Sequence, residues 1–179
     1  MATGPVIKPD AILGAFERLK KALIDTSSII YLQKAGYFDA LAGTVQLYSI
    51  PEVISESKTH VAGVTLIHPS ESPSLSTDQK LISCALENEL AMISEDKHIL
   101  RAMGRARVPY FNSLMMLNFL LFSKKIDDDG YQRYHCALEN IARYSEAVWE
   151  YGRHVYAAIK IKPYKEMKRY GHRRRSNFS

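Results

Sequence analysis

Cysteine is scarce: the 179 residues hold two, Cys84 and Cys136. Neither belongs to a CxxC pair or sits at ligand spacing from a histidine, which argues against a zinc site. A reducing cytoplasm is the default expectation for such a chain. Long apolar runs are missing as well. None approaches the roughly 20 residues that a membrane-spanning helix needs. The stretch Met1–Asp10 has no apolar signal core, which argues against secretion. GxSxG, P-loop and GxGxxG patterns are all absent, so no recognisable motif supplies a nucleophile or a phosphate cradle. His60, His68, His98, His135, His154 and His172 are scattered without ligand spacing and read as surface or partly buried residues. No internal repeat is found.

What remains is an ordinary globular composition, 46% hydrophobic and 24% charged, long enough for one well-buried domain plus an appendage. The net charge of +5 is unevenly spread. Lys160 to Ser179 carries eight basic residues and one acid, net +7, which leaves the first 159 residues at −2. The chain is a slightly acidic body with a basic tail.

The body alternates strand-like and helix-like segments. Pro9 to Lys21 has Ile12, Leu13, Phe16 and Leu19 on one helical face, a leading helix over about residues 1–20. Ala22–Ile24 reads as a buried strand that runs into Asp25, and Thr26-Ser27-Ser28 then opens a helix to about Lys34, ended by Gly36. Gln46–Ile50 and Val64–Ile67 read as strands two and three, separated by a helix that starts at Pro51. His68 to Ser74 is a loop by its proline and serine content. Ser76 and Gln79 form a capping box ahead of a long amphipathic helix. Leu90–Ile93 and Val108–Phe111 read as strands four and five, with helices at Ile99–Met103 and Ser113–Phe122. Strands alternating with helices at this spacing predict a three-layer α/β/α domain with a mostly parallel central sheet, over about residues 21–125.

Three strand-to-helix junctions then deliver an acid each, Asp25, Asp78 and Asp96, and Glu56 lies one turn into a helix that follows a strand. If the strands are parallel, these four acids reach one rim. Clustered carboxylates need a cation to remain ionised together. An all-oxygen set suits Mg²⁺ or Mn²⁺ rather than zinc, and a hard divalent ion there activates water and neutralises charge on a phosphodiester. Asp25, Asp78 and Asp96 also suit helix N-termini for purely structural reasons, and only their joint occurrence with Glu56 favours chemistry. Glu52, one turn before Glu56, and Glu95, beside Asp96, are the alternative donors.

The motifs Leu-Ile-Asp25-Thr-Ser, Pro51-Glu-Val-Ile-Ser-Glu56, Asp78 at a helix start and Ser94-Glu-Asp96-Lys, in this order, resemble those of the PIN-domain family of metal-dependent ribonucleases. The resemblance covers about Lys21 to Lys125. It implies that Asp25, Glu56, Asp78 and Asp96 hold Mg²⁺ or Mn²⁺ and carry RNA hydrolysis. It also implies that the hydroxyls of Thr26, Ser27 and Ser94 steady the acids or a metal-bound water. A phosphatase of the haloacid-dehalogenase type would need a second aspartate where this chain has Ser27. Two other readings stand beside the nuclease: a catalytically inactive module binding RNA or protein, and a toxin held by an antitoxin partner.

Past Lys124 the character changes. Asp127-Asp128-Asp129-Gly130 reads as a hydrophilic linker. Tyr131 to about Ile161 reads as a long helical extension, covering residues 126–162, with a break near Gly152 and a stop at Pro163. Its aromatics (Tyr131, Tyr134, Tyr144, Trp149, Tyr151, Tyr156) lean towards a homo-oligomeric interface. Tyr110, Phe111, Met115, Met116, Phe119 and Phe122 read as core or interface. Residues 163–179 form a basic tail expected to be disordered without a partner. Lys168, Arg169, Arg173, Arg174 and Arg175, with Arg101, Arg105 and Arg107 beyond the last acid, are the candidates for gripping RNA phosphates.

Overall fold

The computed structural model describes residues 9–58, 61–69 and 74–173, with side chains described as far as residue 161. Its elements are, in chain order, α1 (Pro9–Arg18), β1 (Lys21–Ile24), α2 (Thr26–Ala35), α3 (Phe38–Ala42), β2 (Gln46–Ser49), α4 (Pro51–Ser57) and β3 (Val64–Leu66). There follow α5 (Thr77–Glu87), β4 (Ala91–Ile93), α6 (Lys97–Arg105), β5 (Tyr110–Phe111), α7 (Ser113–Phe122), α8 (Asp128–Glu139) and α9 (Glu146–Arg173). Residues 18–143 form one compact unit; the described parts of the two terminal segments group into a second.

Within the first unit the described strands make a five-stranded sheet in the order β3-β2-β1-β4-β5, and every pairing is parallel. β1 is central because Ala22, Leu23 and Ile24 are apolar without interruption and have no exposed surface, as a strand covered on both faces requires. Leu23 sits opposite Tyr48 on one side and Met92 on the other, and Ile24 pairs with Ile93. Helices surround the sheet in the α/β/α arrangement that the alternation predicts. α2, α3, α4, α7 and α8 contact one another, and α5 contacts α6.

Local chemistry sets the helix ends. Asp25 caps α2, and Gly36 closes it in the left-handed region (φ 86°), where only glycine sits without a steric cost. Pro51 opens α4. Ser76 and Gln79 exchange both hydrogen bonds of the capping box at the start of α5. α7 is apolar on all sides and is buried on all sides, with Leu114, Met115, Met116, Leu117, Phe119 and Leu120 inside.

Beyond residue 125 the structure differs from the sequence expectation in three places. Asp127–Gly130 is no linker: the Asp127 side chain accepts from Gly130 N–H (2.8 Å) and caps α8, whose first turn holds Asp128 and Asp129 where the helix dipole favours acids. The expected long helix breaks at residues 140–145, not at Gly152, which lies inside α9. There Asn140 turns its side-chain amide onto the Cys136 carbonyl (3.0 Å), and the Ser145 carbonyl starts a new helix by accepting from Val148 N–H (3.0 Å). Finally, α9 does not stop at Pro163, and the segment expected to be disordered is helical as far as Arg173. A proline inside a helix costs one backbone hydrogen bond, but the residues after it are rich in Lys, Arg, Glu and Met, all good helix formers.

α8 packs on α2 and α7, within the same unit as the sheet. Tyr131 is buried, and Tyr134 stacks at a tilt on the buried ring of Tyr37, centroids 5.5 Å apart. No helix among the described residues is long and apolar enough to cross a membrane.

Candidate functional site

The sheet order reverses at β1. The chain moves outward through β2 to β3, then crosses back to lay β4 on the other flank of β1. In open α/β sheets the crevice outside the carboxyl ends of the strands at such a reversal is where ligands bind. β1 runs into Asp25 and β4 into Ser94-Glu95-Asp96, so both acidic motifs follow the strand ends at this crevice. A backbone hydrogen bond from Asp25 N–H to the Ile93 carbonyl (3.1 Å) fixes the two strand ends side by side.

Asp25 is the buried centre, with 5% of its surface exposed. Its Oδ1 accepts from Ser28 N–H (2.8 Å), the N-cap bond of α2. Ser27 Oγ lies 3.0 Å from both carboxylate oxygens. Ser94 Oγ donates a short hydrogen bond to Oδ2. Burial raises the Asp25 pKa above the usual carboxylate range, against the lowering effect of the bonds from Ser94, Ser28 and Ser27. No lysine, arginine or histidine pairs with it among the described residues.

Ser94 faces two ways, because its Oγ also accepts from Asp96 N–H (3.0 Å). Asp96 is exposed and caps α6: its Oδ1 accepts from His98 N–H (2.5 Å) and Ile99 N–H (3.2 Å). Glu56, also exposed, accepts from Thr26 Oγ1 at Oε2 (2.9 Å) and from Thr77 Oγ1 at Oε1 (3.4 Å). Thr26 follows Asp25 and Thr77 precedes Asp78, so a relay of hydroxyls joins the β1 end, α4 and the start of α5. Asp78 is partly exposed in the first turn of α5.

The two alternative donors are engaged elsewhere. Glu52 receives the Lys80 ammonium at Oε1 (2.6 Å), and that hydrogen bond holds its carboxyl below the usual range. Its other oxygen is shielded from solvent and meets no side-chain or backbone partner among the described residues. Glu95 turns inward: its Oε1 accepts from Ser28 Oγ (3.0 Å), Ser113 N–H (2.8 Å) and Ser113 Oγ (2.6 Å). It thereby ties the β4 end to α2 and to the first turn of α7. Thr77 and the inward role of Glu95 are not visible in the sequence. Thr77 reads as a helix-start residue, and Glu95 shares its polarity with both neighbours.

Asp25, Glu56, Asp78 and Asp96, with the hydroxyls of Thr26, Ser27 and Ser94, offer oxygen, which suits a hard divalent cation. Among the described residues no three His, Cys, Asp or Glu side chains meet closely enough to form a complete ligand cage. Mg²⁺ seldom uses one; it typically takes one or two carboxylates and fills its remaining positions with water and substrate phosphate. A buried carboxylate that meets no cation among the described residues fits that kind of occupant.

Arg101 and Arg105 on α6 and Arg107 just beyond it are exposed. Lys168, Arg169 and Arg173 fall on α9 where only the backbone is described, and Arg174 and Arg175 lie outside the described residues. No family model matches the chain, and no curated protein or solved structure matches it either.

Proposed function

We propose that the protein is a divalent-metal-dependent ribonuclease, with Asp25, Glu56, Asp78 and Asp96 as its site acids and Mg²⁺ or Mn²⁺ as its ion. The observation that carries this reading is the placement of Asp25: a buried carboxylate without a cationic partner, at the sheet reversal, bridged to the Asp96 segment through Ser94. In this reading a metal bound among these acids supplies an activated water and charge neutralisation at the phosphodiester. Asp25 and Asp96, just past the ends of β1 and β4, would hold the ion. Glu56, oriented by Thr26 and Thr77, and Asp78 in the capped first turn of α5 would line the side from which a backbone phosphate approaches. Ser27 and Ser94 fix the Asp25 carboxylate so that its orientation does not change as charge develops.

The test is cleavage of a labelled single-stranded RNA in Mn²⁺ and in EDTA. Wild type should cut only with the metal, and Asp25→Asn and Asp96→Asn should each abolish cutting. Unchanged cleavage in either variant ends the proposal. A second reading, a non-catalytic RNA-binding module, is favoured by the exposed cations Lys97, Arg101 and Arg105 of α6. It predicts RNA binding that persists in EDTA and no cleavage with any divalent ion.

A further inference from the structure

We infer that the outer face of α6 is a track for the phosphate backbone of a single RNA strand, leading away from the acidic rim. The inference rests on the nuclease reading for its direction, though not for the binding itself. α6 starts at its cap Asp96, in the crevice, and buries Ile99 and Met103. Lys97, Arg101 and Arg105 follow at i, i+4 and i+8, and all three are exposed. At 3.6 residues per turn they fall within about 80° of one another on the side opposite the buried pair. Successive cations are spaced about 6 Å along the axis, a row about 12 Å long. Arg107, in the left-handed conformation at φ 58°, lies just past its end.

Three features separate this row from an ordinary solvated helix face. First, none of the three cations forms an ion pair among the described residues. Second, from Lys97 to Ile126 the chain holds six cations and no acid, so the interleaved acids that usually relieve such a face are missing. Third, Lys97 occupies the first helical turn, where the dipole disfavours a cation. Like charges at i, i+4 repel one another, and Lys97 against the dipole adds to that cost. A polyanion laid along the row offsets this cost. A straight file of single cations matches one backbone rather than the two phosphate rows of a duplex, and it reads no sequence.

The experiment is the salt dependence of binding, measured by fluorescence anisotropy of a labelled 12-nucleotide RNA on the full-length protein in EDTA. Three backbone contacts on a single strand contribute about −2 to the slope of log K against log salt, at roughly −0.7 each. K97Q/R101Q/R105Q should therefore make the slope shallower by about 2, and each single variant by about 0.7. Circular dichroism and Tm confirm that the exposed substitutions leave the fold intact, and if the triple variant misfolds the single variants decide. An unchanged slope overturns the track. Equal competition by an RNA hairpin duplex overturns its single-strand preference. Because no metal is present, failure here leaves the cleavage reading untouched, and loss of cleavage in Asp25→Asn leaves the track untouched.

Discussion

The Ser94 hydroxyl donates to Asp25 Oδ2 while accepting from Asp96 N–H, so one small side chain couples the two strand-end acids. Of the hydrogen bonds that hold the Asp25 pKa down against burial, the one from Ser94 has the largest effect. Ser94→Ala should therefore push that pKa further up and shift the acid limb of the pH–rate profile to higher pH. Cleavage at neutral pH should fall about 10–100-fold, the usual effect of losing a group that orients a metal ligand. Ser94→Thr keeps the hydroxyl and should restore most of the rate. A pH profile unmoved in Ser94→Ala would show that the bond does not govern the acid.

The raised pKa of Asp25 also fixes how stability changes with pH. The folded chain holds this proton more tightly than the unfolded one. The resulting stabilisation is complete below the unfolded carboxyl range and is lost as pH rises through the folded pKa. Above that pKa the ionised, buried carboxylate is then a net cost. Asp25→Asn, which keeps an N-cap residue, should raise Tm by a few degrees there, corresponding to about 1 kcal/mol. The gain should shrink as pH is lowered through the folded pKa. Mn²⁺ should stabilise wild type by mass action and leave the variant unmoved. Calorimetry over a pH series, with and without Mn²⁺, checks both statements, and an equal Mn²⁺ shift in the two proteins contradicts the assignment.

Glu52 and Glu56 sit one turn apart on α4 and cannot be told apart by spacing. Their partners separate them. Glu52 is neutralised by Lys80, whereas among the described residues Glu56 meets the neutral hydroxyls of Thr26 and Thr77 and no cation. Glu56→Gln should lower Mn²⁺-dependent cleavage at least tenfold, and Glu52→Gln should stay within about twofold of wild type. Glu52→Gln should instead cost up to about 1 kcal/mol of stability, since the ion pair it breaks is partly exposed. Reversed effects on cleavage would move the site to Glu52.

The sheet was legible because its signals are local. Ala22–Ile24, Gln46–Ser49 and Ala91–Ile93 are short apolar or alternating runs, each closed by a residue that caps a helix or opens one, and alternation alone then demands parallel crossovers. The C-terminal third was less legible because its signals are ambiguous at short range. An Asp-Asp-Asp-Gly run serves equally as a loop or as a capped first turn, and which one forms depends on whether α7 and α2 offer a surface for Tyr131 and Leu138 to cover. Candidate acids were visible as residue types at strand ends. Their partners were not, because Ser113 and Thr77 lie 18 and 21 residues away from the carboxylates they meet.

Glu95 decides between two accounts of the β4 end, since its neighbours Ser94 and Asp96 both face Asp25 or the rim. A carboxylate that accepts from Ser28 Oγ, Ser113 N–H and Ser113 Oγ through one oxygen is oriented by the protein, and Ser28 and Ser113 are fully buried. Glu95→Ala leaves those donors without their acceptor, and each buried unsatisfied group costs about 1–3 kcal/mol, so a loss of about 2 kcal/mol or more is expected in urea unfolding. Glu95→Gln keeps a carbonyl oxygen in place and should lose less, about 1 kcal/mol. The discriminating measurement is the Mn²⁺ concentration giving half-maximal cleavage. If Glu95 only braces α2 against α7, Glu95→Gln leaves that midpoint where it is in wild type, whereas Asp96→Asn removes cleavage altogether. A midpoint raised tenfold in Glu95→Gln would make Glu95 a ligand and demote Asp96 to the helix cap that its hydrogen bonds to His98 and Ile99 already describe.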